Sequence, residues 1–302
     1  DVVKTPGGGR LKAGENTLTI TFRSALRVGR ERQAAWDAGG SDTLPYHWDN
    51  WAERAFVRKA QYQYGWDWGP VLRGCGLWQP VELVTVPIAR LGDWKHVAEF
   101  REDGQAAVTV TAEVERALGQ EETPLTLSVS ISLPVPAGAG VSISATVTVT
   151  VPRRWQPNGY GQAALYGLTL TLVGADGEEA DRRETKVGLR TVELVREPDA
   201  DGKGEGFKFR VNGVDIYAKG ANWIPDHSFP SLVTLDRLRE RIGQARDAGM
   251  TMLRIWGGGF YESEDFYDLC DEMGLLVWQD FPYGCSYYPD TGEYADLARI
   301  EA

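Results

Sequence analysis

The most informative part of the sequence consists of three short segments, Lys219-Gly-Ala-Asn-Trp223, Met252-Leu-Arg-Ile-Trp256 and Leu276-Val-Trp-Gln-Asp280. Two stretches with helical periodicity separate them, and this alternation predicts a parallel α/β unit. In (β/α)₈ barrels the chemistry lies at the carboxyl ends of the strands. That position would hold five candidate site residues, namely Asn222, Trp223, Arg254, Trp256 and Asp280.

Both intervening stretches have the pattern of amphipathic helices. The first begins after Thr234, which acts as the N-cap, and ends near Gly249. Its apolar face consists of Leu235, Leu238, Ile242 and Ala245. The second begins near Ser263, ends at Gly274 and buries a stripe of Phe266, Leu269, Cys270 and Met273. We interpret the acidic residues on or beside this second helix as a helix cap and a solvated face: Glu262, Glu264, Asp265, Asp268, Asp271 and Glu272.

The composition narrows the classes of partner. Over 302 residues the formal net charge is −11, which argues against nucleic acid or an anionic membrane as the main partner. No apolar run is long enough to span a membrane. The three widely spaced cysteines, Cys75, Cys270 and Cys285, do not form a disulfide framework. We expect reduced thiols and a cytoplasmic location.

The first 92 residues have a β-rich pattern. Alternation in Asn16–Phe22 predicts one strand, and Arg54–Arg58 and Leu77–Val84 predict two more. Between the last two lies Gln61-Tyr-Gln-Tyr-Gly-Trp-Asp-Trp-Gly-Pro70, where glycine and proline predict a loop that carries Trp66, Asp67 and Trp68. Three strands are too few for a closed sandwich, so either the domain has more strands than the pattern reveals or it is short at its N-terminal side.

From about residue 93 to 197 the sequence alternates threonine and valine. Predicted strands are Ala107–Ala112, Leu125–Ile131, Val141–Val151, Tyr166–Leu172 and Lys186–Leu194, a pattern typical of an immunoglobulin-like sandwich. The segment Pro198–Gly206 then predicts a turn, and Asn212-Gly213 predicts a β-hairpin that leads into Lys219.

Several polar and aromatic side chains are candidates for a binding site. An unpaired buried guanidinium is costly, so Arg254 must pair with a carboxylate such as Asp280 or with a substrate. Trp256 is either a sugar-stacking platform or ordinary rim packing. Asp67 either binds sugar hydroxyls or is a loop aspartate with internal partners. No cluster has metal-ligand spacing and no phosphate loop is present, so we expect no metal and no cofactor.

With these residues in view, the chain resembles the retaining β-mannosidases of glycoside hydrolase family 2. The matching motifs run in order along almost the whole chain: Arg58-Lys-Ala-Gln61, Gly65-Trp-Asp-Trp-Gly-Pro70, Trp155-Gln-Pro-Asn-Gly-Tyr-Gly161 with Leu165-Tyr166, Lys186-Val-Gly-Leu-Arg-Thr-Val192, Asn212-Gly213, Lys219-Gly-Ala-Asn-Trp-Ile-Pro225, Leu253-Arg-Ile-Trp-Gly-Gly-Gly259 and Val277-Trp-Gln-Asp-Phe281.

The resemblance implies a sugar-binding jelly-roll domain at 1–92, an immunoglobulin-like sandwich at 93–197 and the first three strands of a (β/α)₈ TIM barrel at 198–302. It also implies that Asp67 and Trp68 contact a terminal mannose together with Asn222, Trp223, Arg254 and Trp256, and that Asp280 supports them. β-Mannoside oligosaccharides or glycans would be the partners, and a homo-oligomer is left open.

The catalytic residues themselves are not among these motifs. The family's acid/base and nucleophile glutamates end the fourth and seventh barrel strands, so we expect both beyond Ala302 and expect this chain alone to be inactive. Two other hypotheses stay open: another family 2 glycosidase (a β-galactosidase, β-glucuronidase or exo-glucosaminidase), or a non-catalytic carbohydrate-binding module. In a purely structural protein, Trp66, Asp67 and Trp68 would all be fully buried.

Overall fold

A computed structural model describes residues 13–39, 52–117, 119–120, 123–128, 132–135, 141–149, 152–284, 286–290 and 292–301. The chain divides into two units. One unit contains Glu82–Tyr217 together with the residues up to Leu18, and the other contains Thr19–Val81 with Ala218–Ala302. Among the described residues, no helix has the length and apolar character needed to cross a membrane.

In the described residues, the first unit contains a β-sandwich of seven antiparallel strands. Its strands are β1 (Ala89–Phe100), β2 (Ala106–Arg116), β3 (Leu125–Ser128), β4 (Ser132–Val135), β5 (Val141–Val149), β6 (Tyr166–Gly174) and β7 (Glu179–Val187). One sheet has the order β1-β2-β5 and the other β4-β3-β6-β7. Alternate residues of both sheets, including Val110, Leu127 and Leu172, form a single buried core. The three-plus-four division fits the predicted immunoglobulin-like sandwich.

Most strands of the sandwich agree with the sequence pattern, with one exception. The segment Lys186–Leu194 was predicted as one strand, and this prediction is wrong: the chain leaves the ladder after Val187 and pairs again at β8 (Val192–Val195). The break occurs at Gly188, where the Trp155 ring lies against the backbone. A Cβ at this position would be 2.8 Å from the indole, so there is no space for a side chain. Residues 129–131 and 150–151 of two other predicted strands lie outside the described residues.

A small second sheet follows the sandwich. Strands β8, β9 (Lys208–Val211) and β10 (Val214–Ile216) pair in the order β10-β9-β8. The predicted hairpin is confirmed, and its turn consists of Asn212 and Gly213, both with positive φ (53° and 84°). The Asn212 side chain also donates a hydrogen bond to the Trp155 carbonyl oxygen and accepts one from the Thr191 amide, so the turn is fixed at both ends.

The strands predicted before residue 88 are absent from the described residues. The structure has helix α1 (Ala25–Ala38) and two short 3₁₀ helices, Ala52–Phe56 and Gln61–Tyr64. The predicted strands at Asn16–Phe22, Arg54–Arg58 and Leu77–Val84 are therefore wrong here. A strand needs a partner, and in the described residues the apolar faces of Asn16–Phe22 and Leu77–Val84 have none, so Leu18 is 75% exposed and Leu83 is 79% exposed. Arg54–Phe56 is buried, but as part of a 3₁₀ helix.

The second unit contains the predicted parallel α/β arrangement. Strands β11 (Gly220–Trp223), β12 (Met252–Ile255) and β13 (Leu276–Gln279) pair in parallel, with helices α2 (Leu235–Asp247) and α3 (Glu264–Met273) between them. A fourth helix, α4, spans Gly292–Glu301. Strand β13 lies at the edge of this sheet within the described residues.

The helix boundaries follow the capping residues read from the sequence. The Thr234 side chain accepts a hydrogen bond from the Arg237 amide at 3.3 Å, and Gly249 and Gly274, both with φ of 76°, end the two helices. Ser263 occupies the N-cap of α3 but makes no side-chain capping bond. Leu235, predicted on the buried face of α2, is exposed because it belongs to the first turn and faces away from the sheet's core.

Candidate functional site

Three of the predicted site residues form one polar network at the strand ends. Asn222 and Arg254 are neighbours in the parallel register of β11 and β12, so both side chains leave the sheet on the same face. The Arg254 guanidinium donates to both carboxylate oxygens of Asp280, at 3.1 and 2.6 Å, and to the Asn222 amide oxygen at 2.9 Å. The predicted pairing of Arg254 with Asp280 is confirmed.

This network leaves part of the arginine available. The Arg254 side chain is 40% exposed whereas Asp280 is 20% exposed, so the carboxylate is the more enclosed partner. Asp280 also accepts a hydrogen bond from the Gly257 amide at 3.1 Å. The arrangement holds the guanidinium in a fixed orientation with an exposed side, which is the requirement for a ligand contact.

The three glycines after β12 allow close packing. An added Cβ on Gly258 would lie 2.0 Å from the Trp256 ring, so the indole rests directly on this backbone. The carbonyl oxygens of Gly257 and Gly258 accept hydrogen bonds from the amides of Gly284 and Tyr62, both at 3.0 Å. The glycine loop at 257–259, which lacks a phosphate-loop pattern, is thus a backbone junction beneath Trp256.

The Trp-Asp-Trp loop packs on this junction. The Trp256 ring contacts Trp66 (centroids 5.0 Å apart) and Trp68 (6.0 Å, edge to face), and Tyr62 stacks on Trp68 at 5.3 Å. A tight turn, closed by two hydrogen bonds between the backbones of Trp66 and Gly69, presents the residues between them. The Trp256 ring therefore seats the loop, and its sugar-stacking role stays a prediction.

Asp67 lies at the exposed tip of that turn. Its carboxylate makes no hydrogen bond or ion pair with any residue in the described part of the chain. The two tryptophans beside it are partly buried, so the loop does not have the full burial expected of a purely structural element. The geometry supplies a rigidly mounted, solvent-facing carboxylate.

A cleft of ≈ 470 Å³ lies at the carboxyl end of β11. It is lined by Trp68, Asn222, Trp223 and the segment Ile224–Ser228. Asp226 in this segment is held by the guanidinium groups of Arg237 and Arg241 on α2, and the Ser228 carbonyl oxygen accepts the Tyr62 hydroxyl at 3.1 Å. The cleft is open to solvent on one side and rigid on the side of α2.

The structure brings the predicted residues together in two layers. Trp68, Asn222 and Trp223 line the cleft itself. Arg254, Trp256 and Asp280 stand behind it and contact those lining residues directly or through one partner. Asp67 is adjacent in sequence to Trp68 but is not among the lining residues.

One residue near the cleft was missed by the sequence analysis. Glu262 was grouped with the solvated acidic face of α3, and that interpretation is wrong. It precedes the Ser263 cap, is half-buried, and accepts a hydrogen bond at 3.0 Å from the Trp223 indole N–H. Its position outside the helix, directly after the glycine loop, was the available signal.

Burial changes the acidity of this group. Desolvation raises the pKa of the Glu262 carboxyl to about 6, although the Trp223 hydrogen bond acts in the opposite direction. The nearby Asp226 carboxylate adds to the increase in pKa. Within the described residues, no group of three or more histidine, cysteine, aspartate or glutamate side chains could hold a metal ion.

Comparison with known protein families points to a single family. Residues 8–79 match "Glycosyl hydrolase 2 galactose-binding domain-like", and residues 89–190 match "Glycosyl hydrolases family 2". Each match falls on a different part of the chain, and both belong to the same enzyme family.

Relatives and solved structures agree with these matches. The chain is 40% identical over 300 residues to β-mannosidase B of Emericella nidulans and 44% identical over 302 residues to that of Aspergillus fumigatus, covering 96% of this chain in each case. It spans about a third (34%) of the length of these curated relatives. The β-D-mannosidase of Dictyoglomus thermophilum has a structure similar to 91% of this chain and 34% of its own, with a TM-score of 0.78 and 36% identity. The chain belongs to glycoside hydrolase family 2, and the relatives that it matches there are β-mannosidases.

Proposed function

We propose that this chain is part of an exo-acting retaining β-mannosidase, which removes terminal non-reducing β-D-mannose residues from oligosaccharides or glycans. The observation that carries the proposal is the seating of the Trp-Asp-Trp loop on Trp256, beside a cleft lined by Trp68, Asn222 and Trp223. Aromatic rings and fixed polar groups in a shallow cleft suit the apolar faces and hydroxyl groups of a sugar.

The named residues then have separate roles. Trp68 and Trp223 provide aromatic surface, while Asn222 and Arg254 provide donors and acceptors for hydroxyl groups. Asp280 orients Arg254, and Trp256 supports the loop that carries Asp67. The Asp67 carboxylate, free of partners in the described residues, accepts hydrogen bonds from a sugar at the rim.

The domain assignment forms part of the same proposal. The three parallel strands β11 to β13 and their helices would be the start of a (β/α)₈ barrel at 198–302, and residues 1–92 would belong to a jelly-roll domain. In such a barrel the strand ends that carry Asn222, Arg254 and Asp280 face the site of chemistry. A pair of carboxyl groups about 5 Å apart, on strands other than these three, would act as acid/base and nucleophile.

Product analysis with the complete protein tests whether it is an exo-acting, retaining enzyme. On a manno-oligosaccharide labelled at its reducing end, an exo-acting enzyme releases unlabelled mannose first, and a retaining one releases it initially as the β-anomer. Proton NMR identifies the anomer that is released first. Internal cleavage, or initial release of the α-anomer, would contradict the proposal.

A further inference from the structure

The hydrogen bond between Trp223 and Glu262 links the wall of the cleft to a half-buried carboxyl group. Trp223 ends β11 and lines the cleft, and its ring packs on Phe266 of α3 with centroids 4.9 Å apart. That contact covers one face of the indole but does not engage its N–H. The bond from the indole N–H to Glu262 at 3.0 Å further restricts the side-chain torsion angles.

Within the described part of the chain, no cation pairs with Glu262 to hold it ionised. The titratable groups that interact with it are Asp226 in the segment after β11, Tyr62 before the Trp-Asp-Trp loop, and Tyr267 and Cys270 on α3. The pKa values of Tyr62, Tyr267 and Cys270 are all raised by burial, so these groups stay neutral around pH 6. The raised pKa of Glu262 therefore lies in a range where these three groups bind no further proton.

We propose that Glu262 is a positioning residue for Trp223, and that its ionised carboxylate fixes the indole in the orientation that binds the sugar. The inference rests on the proposed function for the identity of that sugar. An indole N–H bound to a carboxylate is held more strongly than one bound to a neutral acceptor. Protonation of Glu262 weakens the hold, and sugar affinity falls as the pH decreases through about 6.

Three variants separate this role from a purely structural one. Glu262→Gln keeps an oxygen acceptor for the indole but cannot ionise, and Glu262→Leu removes the acceptor. Glu264→Gln makes the same charge change two residues away, on the exposed first turn of α3, and serves as the matched control. All three are made in the full 302-residue chain.

The first measurement needs no sugar. The Trp223 indole resonance, identified by its loss in Trp223→Phe, is followed by ¹H–¹⁵N NMR between pH 4.5 and 8. We expect it to shift with a midpoint near 6 in the wild type and in Glu264→Gln, and to stay constant in Glu262→Gln and Glu262→Leu. A titration that persists in Glu262→Gln, or no titration in the wild type, overturns the inference.

The second measurement is the affinity for methyl β-D-mannoside over the same pH range. We expect a decrease of roughly three- to tenfold between pH 7.5 and 5 in the wild type and the control, matching the loss of one charge-assisted hydrogen bond. Glu262→Gln should bind at one pH-independent, weakened level. An unchanged pH dependence in Glu262→Gln overturns the positioning role, whereas a wild type that titrates at Trp223 but binds no mannoside at any pH overturns the proposed function.

Discussion

The Arg254 guanidinium group is clamped by Asp280 through two hydrogen bonds, from Nε to Oδ1 at 3.1 Å and from Nη2 to Oδ2 at 2.6 Å. A two-point contact fixes the plane of the guanidinium as well as its position. The third nitrogen is directed to Asn222 at the end of the neighbouring strand. One ion pair therefore determines how two strand ends present their polar groups.

Removing the charge of Asp280 should destabilise the fold. Asp280→Asn leaves Arg254 without its counter-charge and replaces one acceptor oxygen by a donor. We expect the free energy of unfolding to fall by about 1–3 kcal/mol in urea denaturation, since the pair is partly enclosed. Asp296→Asn is the matched control, because the Arg299–Asp296 pair is 71% and 73% exposed. If Asp296→Asn lowered the free energy of unfolding as much as Asp280→Asn, partial burial would not be what makes the Arg254–Asp280 pair stabilising.

The close contact between Gly258 and Trp256 should tolerate no side chain. Gly258→Ala places a methyl group 2.0 Å from the indole, so the ring must move and loosen the seat of Trp66 and Trp68. We expect a loss of roughly 1–3 kcal/mol in stability from this overpacking. Gly243→Ala, inside α2 with no atom within 4 Å, should instead stabilise by about 0.5–1 kcal/mol. Equal effects of both substitutions on thermal unfolding would be inconsistent with this packing.

Asp67 should matter for ligand binding and not for folding. Its carboxylate is exposed and has no partner in the described residues, so Asp67→Asn should change the free energy of unfolding by less than about 0.5 kcal/mol. A lost charged hydrogen bond to a sugar costs about 1.5–3 kcal/mol, so kcat/KM of the complete protein should fall roughly 10- to 100-fold. Full activity in Asp67→Asn would exclude the carboxylate from the site.

The raised pKa of Glu262 also predicts the pH dependence of stability. The ordinary value is 4.5 and the folded value about 6, so the folded chain binds more protons between them. This group therefore makes the free energy of unfolding fall as the pH rises from about 4.5 to 6, by roughly 2 kcal/mol in total. Glu262→Gln should remove this contribution and be about 1–2 kcal/mol more stable at pH 7.5.

The comparison of variants isolates that contribution from other titrating groups. The difference in unfolding free energy between Glu262→Gln and the wild type should grow with pH up to about 6 and then stay constant. Glu264→Gln, which removes an exposed carboxylate two residues away, is the matched control for the change of charge. A pH-independent difference for Glu262→Gln would mean that the carboxyl group keeps its ordinary pKa.

The 302-residue chain alone should not hydrolyse β-mannosides. Asp226, which lines the cleft, is engaged by Arg237 and Arg241, and Glu262 is engaged by the cleft residue Trp223. Neither is free to act as the nucleophile of a retaining pair. We expect no release of nitrophenol from nitrophenyl β-mannoside above the buffer rate. Turnover that disappears in Glu262→Gln would instead place catalysis within this chain.

The accuracy of the sequence predictions depends on how local the determining interactions are. Helices α2 and α3 and the Asn212-Gly213 hairpin were predicted because capping residues, glycine C-termini and turn residues act over a few positions. The alternation in Asn16–Phe22 also has a local pattern, but a strand exists only when another strand pairs with it. Sequence periodicity carries no information on that partner.

In the candidate site, too, only contacts that follow from local sequence and strand order could be predicted. Pairing of Arg254 with Asp280 was predictable because a guanidinium in an apolar strand requires a carboxylate, and the strand order supplies one. The position of Glu262 before the Ser263 cap separates it from the helix in sequence, but its pairing with Trp223 was not predictable, because the two residues are 39 positions apart. Only the path of the glycine loop brings its carboxylate to the indole nitrogen.

The substrate preference of the complete protein tests the central claim most directly. Its kcat/KM is measured on nitrophenyl β-D-mannoside, β-D-glucoside, β-D-galactoside and β-D-glucuronide under one set of conditions. We expect the β-mannoside to be hydrolysed fastest, and we expect Asp67→Asn to lower that rate. A higher kcat/KM on the glucoside, galactoside or glucuronide would contradict the proposal that this cleft recognises mannose.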